Sequence, residues 1–291
     1  MPGSIIAIIF DFDDTVADDT TDLFLKEKLE MNKKQIQEFW NKDVRDKVKE
    51  GWDPPLAYIN LILEHIRNSG LKIKNQDLRQ LGNKVKLYPG VEDMFSRLRV
   101  FVHSKQKLQK AHVQLEFYII SGGFEEIIRG TPISKEMKDI FGCTFDEENG
   151  KLIPKSIITF TEKTKFLYAI NKGLSGFELR SNPYSVNDVI SETSRRIPFK
   201  NMIYLGDGPT DIPCFSTIQK FGGKTIGILK YRKRDSDRVD KRRAWAFAKG
   251  DRITLGPYRP VYTEESDLYE NLKLQVERVG LDIYDAHMRR E

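Results

Sequence analysis

The chain has 291 residues, 39% of them hydrophobic and 31% charged, with a formal net charge of +5. That length allows one large α/β domain with an insertion, or two domains, and so modest a charge does not by itself mark a nucleic-acid binder. No apolar run approaches the roughly 20 residues that span a bilayer. No basic-then-apolar leader is visible, and the two widely spaced cysteines, Cys143 and Cys214, form no metal-ligand pair, so a cytoplasmic protein is expected.

The first element is an unbroken apolar run, Ile5–Phe10, which predicts a strand covered on both faces of a parallel sheet. It runs straight into Asp11, Asp13, Asp14, Asp18 and Asp19. Side chains alternate along a strand, so Asp11 and Asp13 are expected on one face and Phe12 on the other. Two carboxylates on one face repel unless a cation sits between them. A hard divalent cation, Mg²⁺ above all, suits such an all-oxygen site. Asp14 and Thr15 are expected to stabilise the turn.

Residues 18–88 show apolar side chains at helical spacing, punctuated by Pro54, Pro55 and Gly70, and predict four helices without a strand. Within them Trp40 and Tyr58 are expected in the core by their spacing, with Arg45 and Trp52 beside them as candidate specificity residues. The α/β pattern resumes at "YPGVEDMFSRLR". Further strands are predicted in 113–124, 199–211 and 224–229, a hairpin in 143–153 turning at Asn149-Gly150, and a helix over 162–173 closed by Gly173. The basic stretch 230–243, with eight basic and three acidic residues, reads as a solvated helix of mixed charge, since only Tyr231 is interleaved as an aromatic platform. A loop leading into a last helix is expected in 251–291. Strands alternating with helices predict a Rossmann-like, doubly wound parallel sheet, in which ligands bind beyond the carboxyl ends of the strands.

The polar clusters fall at those ends: "DFDDT" (11–15), "SGG" (121–123), a lysine at the start of a helix, and "GDGPTD" (206–211). In that order they resemble the four motifs of the haloacid dehalogenase-like superfamily, in its phosphatase branch. Phosphoserine-phosphatase-like members are the most similar, sharing the S-G-G-F turn and a helical insertion after the first motif. The resemblance implies a catalytic core of residues 1–17 and 89–291 with an all-helical cap domain of 18–88. It further implies a Mg²⁺-dependent phosphatase acting on a small phosphorylated metabolite, with no membrane and no nucleic acid as partner. A 5′-nucleotidase or phosphotransferase of the same family is the alternative enzyme, and a non-catalytic phosphate- or nucleic-acid-binding protein the alternative of another class.

Asp11 would then be the nucleophile, splitting hydrolysis into two easier steps. Asp13 would act as general acid and base, its carbonyl serving as a metal ligand. Ser121, Gly122 and Gly123 would cradle the phosphoryl oxygens. Asp207 would bind the metal directly, and Asp211 through water or by orienting the site. Of the neighbouring lysines, Lys163 shares a helix face with Phe166, Leu167 and Ile170, whereas Lys165 aligns with Tyr168 and Ala169 on an expected solvated face. Lys163 is therefore the one expected at the phosphoryl group. Near the place where phosphoserine phosphatases carry an acidic residue for the substrate amine, this chain has Thr20 and Thr21, with Asp18 and Asp19 as alternatives closer to the linker.

Overall fold

The computed structural model describes residues 3–229 and 253–289. Strands β1 (Ile5–Phe10), β2 (Gln114–Phe124), β3 (Asp139–Glu148), β4 (Lys151–Ser156), β5 (Met202–Gly206), β6 (Lys224–Ile228) and β7 (Leu255–Tyr258) form one seven-stranded sheet in the order β4-β3-β2-β1-β5-β6-β7. Every neighbouring pair is parallel except β3–β4. That pair turns at Asn149 and Gly150, whose φ angles of 51° and 73° are those a tight two-residue hairpin loop requires. The strand order reverses between β1 and β5, which opens a crevice at their carboxyl ends.

The segment after β1 is helical: α1 (Thr20–Lys28), α2 (Lys33–Glu38), α3 (Arg45–Lys49), α4 (Pro54–Asn68) and α5 (Asn75–Leu81). A π-helical stretch, Phe39–Val44, joins α2 to α3, so the second predicted helix is one bent unit. Then come α6 (Val91–Ser104), α7 (Gln106–Lys110), α8 (Glu125–Arg129), α9 (Glu162–Lys172), α10 (Gly176–Ser181), α11 (Ile212–Lys220) and α12 (Asp267–Met288). Alternation along β1 separates two apolar layers. Ile6, Ile8 and Phe10 pack with α6 and α12, while Ala7 and Ile9 belong to a second layer shared by α9, α11 and the inserted helices α1, α4 and α5. Where α5 ends, its backbone meets that of α8: a Cβ on Gly130 would fall on the Arg79 carbonyl, and one on Gly82 on Gly130 itself. Only glycine allows that approach.

One expected loop is a strand. β7 lies in the segment 251–291 and carries Gly256-Pro257, a pair that argues against a central strand but is tolerated at a sheet edge. The basic segment 230–243 lies outside the described residues. Among the described residues no helix is long and apolar enough to cross a membrane.

Candidate active site

The crevice between β1 and β5 gathers the acidic residues. Asp11 follows β1 directly, and its N–H donates to the Leu205 carbonyl of β5 at 2.8 Å. Asp207 follows β5, and Asp211 sits in the turn before α11. Oxygens of Asp11, Asp207 and Asp211 lie within 4.8 Å of one another, all three buried. Lys163, in the first turn of α9, reaches into this group with 2% of its side chain exposed; its Nζ is 2.9 Å from Asp11 Oδ1 and 2.8 Å from Asp211 Oδ1. Asp211 is fully enclosed: its Oδ1 also accepts from the Tyr204 hydroxyl at 2.8 Å, and its Oδ2 from the Gly208 amide at 3.1 Å. A Cβ on Gly206 would stand 2.5 Å from Asp211 Cγ, so that glycine makes room for the carboxylate.

Lys165 lies at the surface with its Nζ 2.8 Å from Glu162. Ala169, expected beside it in solvent, is instead buried. Ala169 lies three residues beyond Phe166 and belongs to the same apolar cluster, whereas Tyr168 stays partly exposed and packs edge-on against Phe199 at 5.1 Å.

The Lys163 ammonium bridges two of these buried carboxylates, Asp11 and Asp211. Burial first, and then the Asp211 charge, push the Asp11 carboxyl up to about 7 against the pull of Lys163. Burial alone would lower the Lys163 ammonium, but Asp11 and Asp211 outweigh it and hold it above the ordinary lysine range. Three buried carboxylates whose oxygens lie this close together form an all-oxygen donor set of the kind that suits a hard divalent cation.

Asp13 is not one of the three. β1 ends at Phe10, and a turn follows in which the Phe12 carbonyl accepts from the amides of Thr15, Val16 and Ala17, with Asp14 at φ 58°. Strand alternation therefore stops short of Asp13, whose Oδ1 accepts from the Thr20 amide at 2.7 Å. Burial and then the Asp19 charge raise its carboxyl well above the usual range. Asp19 itself caps α1, accepting from the amides of Thr21 and Asp22.

Ser121, Gly122 and Gly123 close β2 beside this group. The Gly123 amide donates to Ser121 Oγ at 2.9 Å. The Gly122 carbonyl accepts from the Tyr58 hydroxyl at 2.6 Å and the Cys143 thiol at 3.1 Å. Burial pushes that thiol up to about 12, so it keeps the proton it donates. Trp40 packs on Tyr58 with ring centroids 5.5 Å apart and donates from Nε1 to Asp22 at 2.6 Å. Arg45 and Trp52 are exposed. Sequence reasoning missed Tyr204, the bridging of Asp211 by Lys163, and the contacts of Tyr58 and Cys143; a lone hydroxyl in the otherwise apolar "MIYLG" is the one local signal for Tyr204. A separate cavity of about 740 Å³ lies among Ser4, Asn171, Asn201 and Phe221 at the other end of the sheet, and holds none of these groups.

No family model matches the chain. Over 180 residues it is 27% identical to an uncharacterized protein of Borreliella burgdorferi, a match that covers 56% of this chain but only 59% of that protein. Among solved structures, the phospho-aspartyl intermediate analogue of phosphoserine phosphatase superposes with a TM-score of 0.51 at 15% identity, covering 92% of this chain and 98% of that one. A HAD family hydrolase from Salmonella enterica serovar Typhi matches with a TM-score of 0.48 at 19% identity, over 82% of this chain and 66% of that one. The likeness to the phosphoserine phosphatase structure shows the fold: a Rossmann-like sheet with flanking helices, shared over nearly the whole chain.

Proposed function

We propose that the chain is a Mg²⁺-dependent phosphatase of the haloacid dehalogenase-like kind, hydrolysing a small phosphomonoester through a phosphorylated Asp11. The observation that carries this reading is Lys163, held 2.9 Å from Asp11 and 2.8 Å from Asp211 where the sheet order reverses. A binding module has no need of a carboxylate held against a buried ammonium.

The Phe12 amide and Lys163 both reach Asp11 Oδ1, and Oδ2 is the oxygen assigned to attack phosphorus. As the Oδ2–P bond forms, the bond from phosphorus to the ester oxygen breaks, and Asp13 gives its proton to that oxygen. Water then attacks phosphorus, Asp13 takes the water's proton, and the Asp11–phosphorus bond breaks to free orthophosphate. Lys163 and the Ser121 hydroxyl balance the charge on the non-reacting oxygens. Mg²⁺, when bound, neutralises phosphoryl charge; Asp11, Asp207 and the Asp13 main-chain carbonyl would hold it, with Asp211 orienting the group from behind.

The helical segment 18–88 is read as the cap that selects the ester. The solved phosphatase that shares this fold acts, by its name, on phosphoserine; here Thr20 and Thr21, both buried, occupy the stretch where an acidic residue for the amine is expected. A small phosphorylated metabolite of another kind is therefore the substrate class, and the cytoplasm the place, in keeping with two buried cysteines that are both free.

A panel of phosphorylated metabolites assayed with and without Mg²⁺ tests the class, and mass spectrometry of a rapidly quenched reaction tests the mechanism. The phosphoryl group should be found on Asp11. Asp11→Asn should abolish it and Asp13→Asn should slow both steps. Undiminished turnover in excess chelator, or phosphorylation of Ser121 instead, would overturn the proposal.

A further inference from the structure

Tyr58 belongs to α4, in the inserted helices, yet its hydroxyl reaches the Gly122 carbonyl at the end of β2. That carbonyl sits where the sheet loses its grip. β2 and β3 are in register through Ile120 and Phe141, and pairing resumes only at Phe124 and Cys143, so the ladder is interrupted over Ser121–Gly123. Two glycines in succession, at a shift in strand register, leave their shared peptide more rotational freedom than bulkier residues would.

The peptide joining Gly122 to Gly123 is a rigid plane, so fixing its carbonyl also aims its N–H. Tyr58 O–H at 2.6 Å and Cys143 S–H at 3.1 Å together fill the two lone pairs of that carbonyl. Donors on the carbonyl polarise the plane and make its N–H a stronger donor. The N–H points at Ser121 Oγ, 2.9 Å away. With one lone pair of Oγ occupied, the single hydroxyl proton of Ser121 is left to donate elsewhere. Tyr58 is in turn held by the Trp40 ring, and Trp40 by its bond to Asp22 of α1.

We propose that Tyr58 is a positioning residue for phosphoryl binding, acting through the Gly122–Gly123 peptide on the hydroxyl of Ser121. The inference rests on the reading of Ser121 as a phosphoryl contact given above. It makes the grip of the loop on a phosphoryl group depend on the inserted helices.

The test is orthophosphate binding to the full chain in saturating Mg²⁺, measured by calorimetry for wild type, Tyr58→Phe, Ser121→Ala and the double variant. Phenylalanine keeps the ring against Trp40 and removes only the hydroxyl. Tyr58→Phe should weaken orthophosphate about tenfold while leaving Mg²⁺ affinity without phosphate within about twofold of wild type. In the Ser121→Ala background the same substitution should have no further effect, because the group it aims is gone. Cys143→Ala, which removes the weaker donor, should show the same pattern with a loss of about threefold, and serves if Tyr58→Phe fails to fold. Wild-type affinity in both single variants, or a loss that persists in full without Ser121, overturns the inference. Failure of wild type to bind orthophosphate overturns the proposed function, and this inference with it.

Discussion

Replacing Lys163 with methionine keeps the length of the side chain and deletes the one ammonium that Asp11 and Asp211 share. Each contact, at 2.9 and 2.8 Å, is worth about 6 kcal/mol of attraction at an effective dielectric constant near 20. The cost of burying the ammonium offsets most of it. Removing one partner of a buried pair leaves a net loss of about 3–5 kcal/mol. The loss carries a pH signature. Asp11, already pushed up to about 7, must rise further without its cation. A carboxyl whose folded pKa exceeds its unfolded value holds its proton more tightly in the native state, so this source of instability is absent at low pH and grows from about pH 4 upward. In wild type it levels off near pH 7; in the variant it continues, at about 1.4 kcal/mol per pH unit. The gap between the two proteins should therefore be about 2 kcal/mol wider at pH 8.5 than at pH 5.5. Urea unfolding followed by tryptophan fluorescence in chelator, at both pH values, measures it. Lys165→Ala, on the solvated face, should cost less than about 0.5 kcal/mol. A loss under about 1 kcal/mol for the Lys163 variant, or one equal at the two pH values, would show that Lys163 does not balance these carboxylates.

Mg²⁺ should raise the melting temperature of the wild-type protein at pH 8, by an amount equivalent to about 2.7 kcal/mol at a hundred times its dissociation constant, and Asp207→Asn should remove that stabilisation; a shift that survives the substitution places the metal elsewhere. Gly206→Ala, whose methyl would stand 2.5 Å from Asp211 Cγ, should destabilise by about 1–3 kcal/mol and weaken Mg²⁺ binding in a calorimetric titration. Unchanged Mg²⁺ affinity there would mean that the position of Asp211 is not set by Gly206.

What was legible in the sequence was what local chemistry dictates. The apolar runs of β1 and β5, each ending in aspartate, mark the two strands that flank the crevice. The stripe of Phe166, Leu167 and Ile170 orients α9, whose cap at Gly173 falls where the sequence puts it, and the Asn149-Gly150 turn locates the hairpin. Beyond that, the arrangement depends on partners far along the chain. Nothing near Asp211 signals that its carboxylate will be shared by Lys163 and Tyr204, and nothing near Tyr58 names Gly122, 64 residues away. Asp13 lies past the end of β1, so a turn rather than strand alternation sets its side chain beside Gly123. β7 was hidden because Gly256-Pro257 reads as a turn, and the burial of Ala169 because that residue aligns with Phe166 as well as with Lys165.

Among the contacts that tie the inserted helices to the rest of the fold, two are of unequal kind: the backbone of Gly82 against Gly130, and the Tyr58 hydroxyl on Gly122. At α5 the helices are fixed main chain against main chain, with no side chain to flex and no gap to slide through. α4, by contrast, touches the β2 loop through the Tyr58 hydroxyl. Loss of the Tyr58 bond would release α4 from the Gly122 carbonyl alone, whereas Gly82 and Gly130 cannot part without carrying α5 or α8 with them.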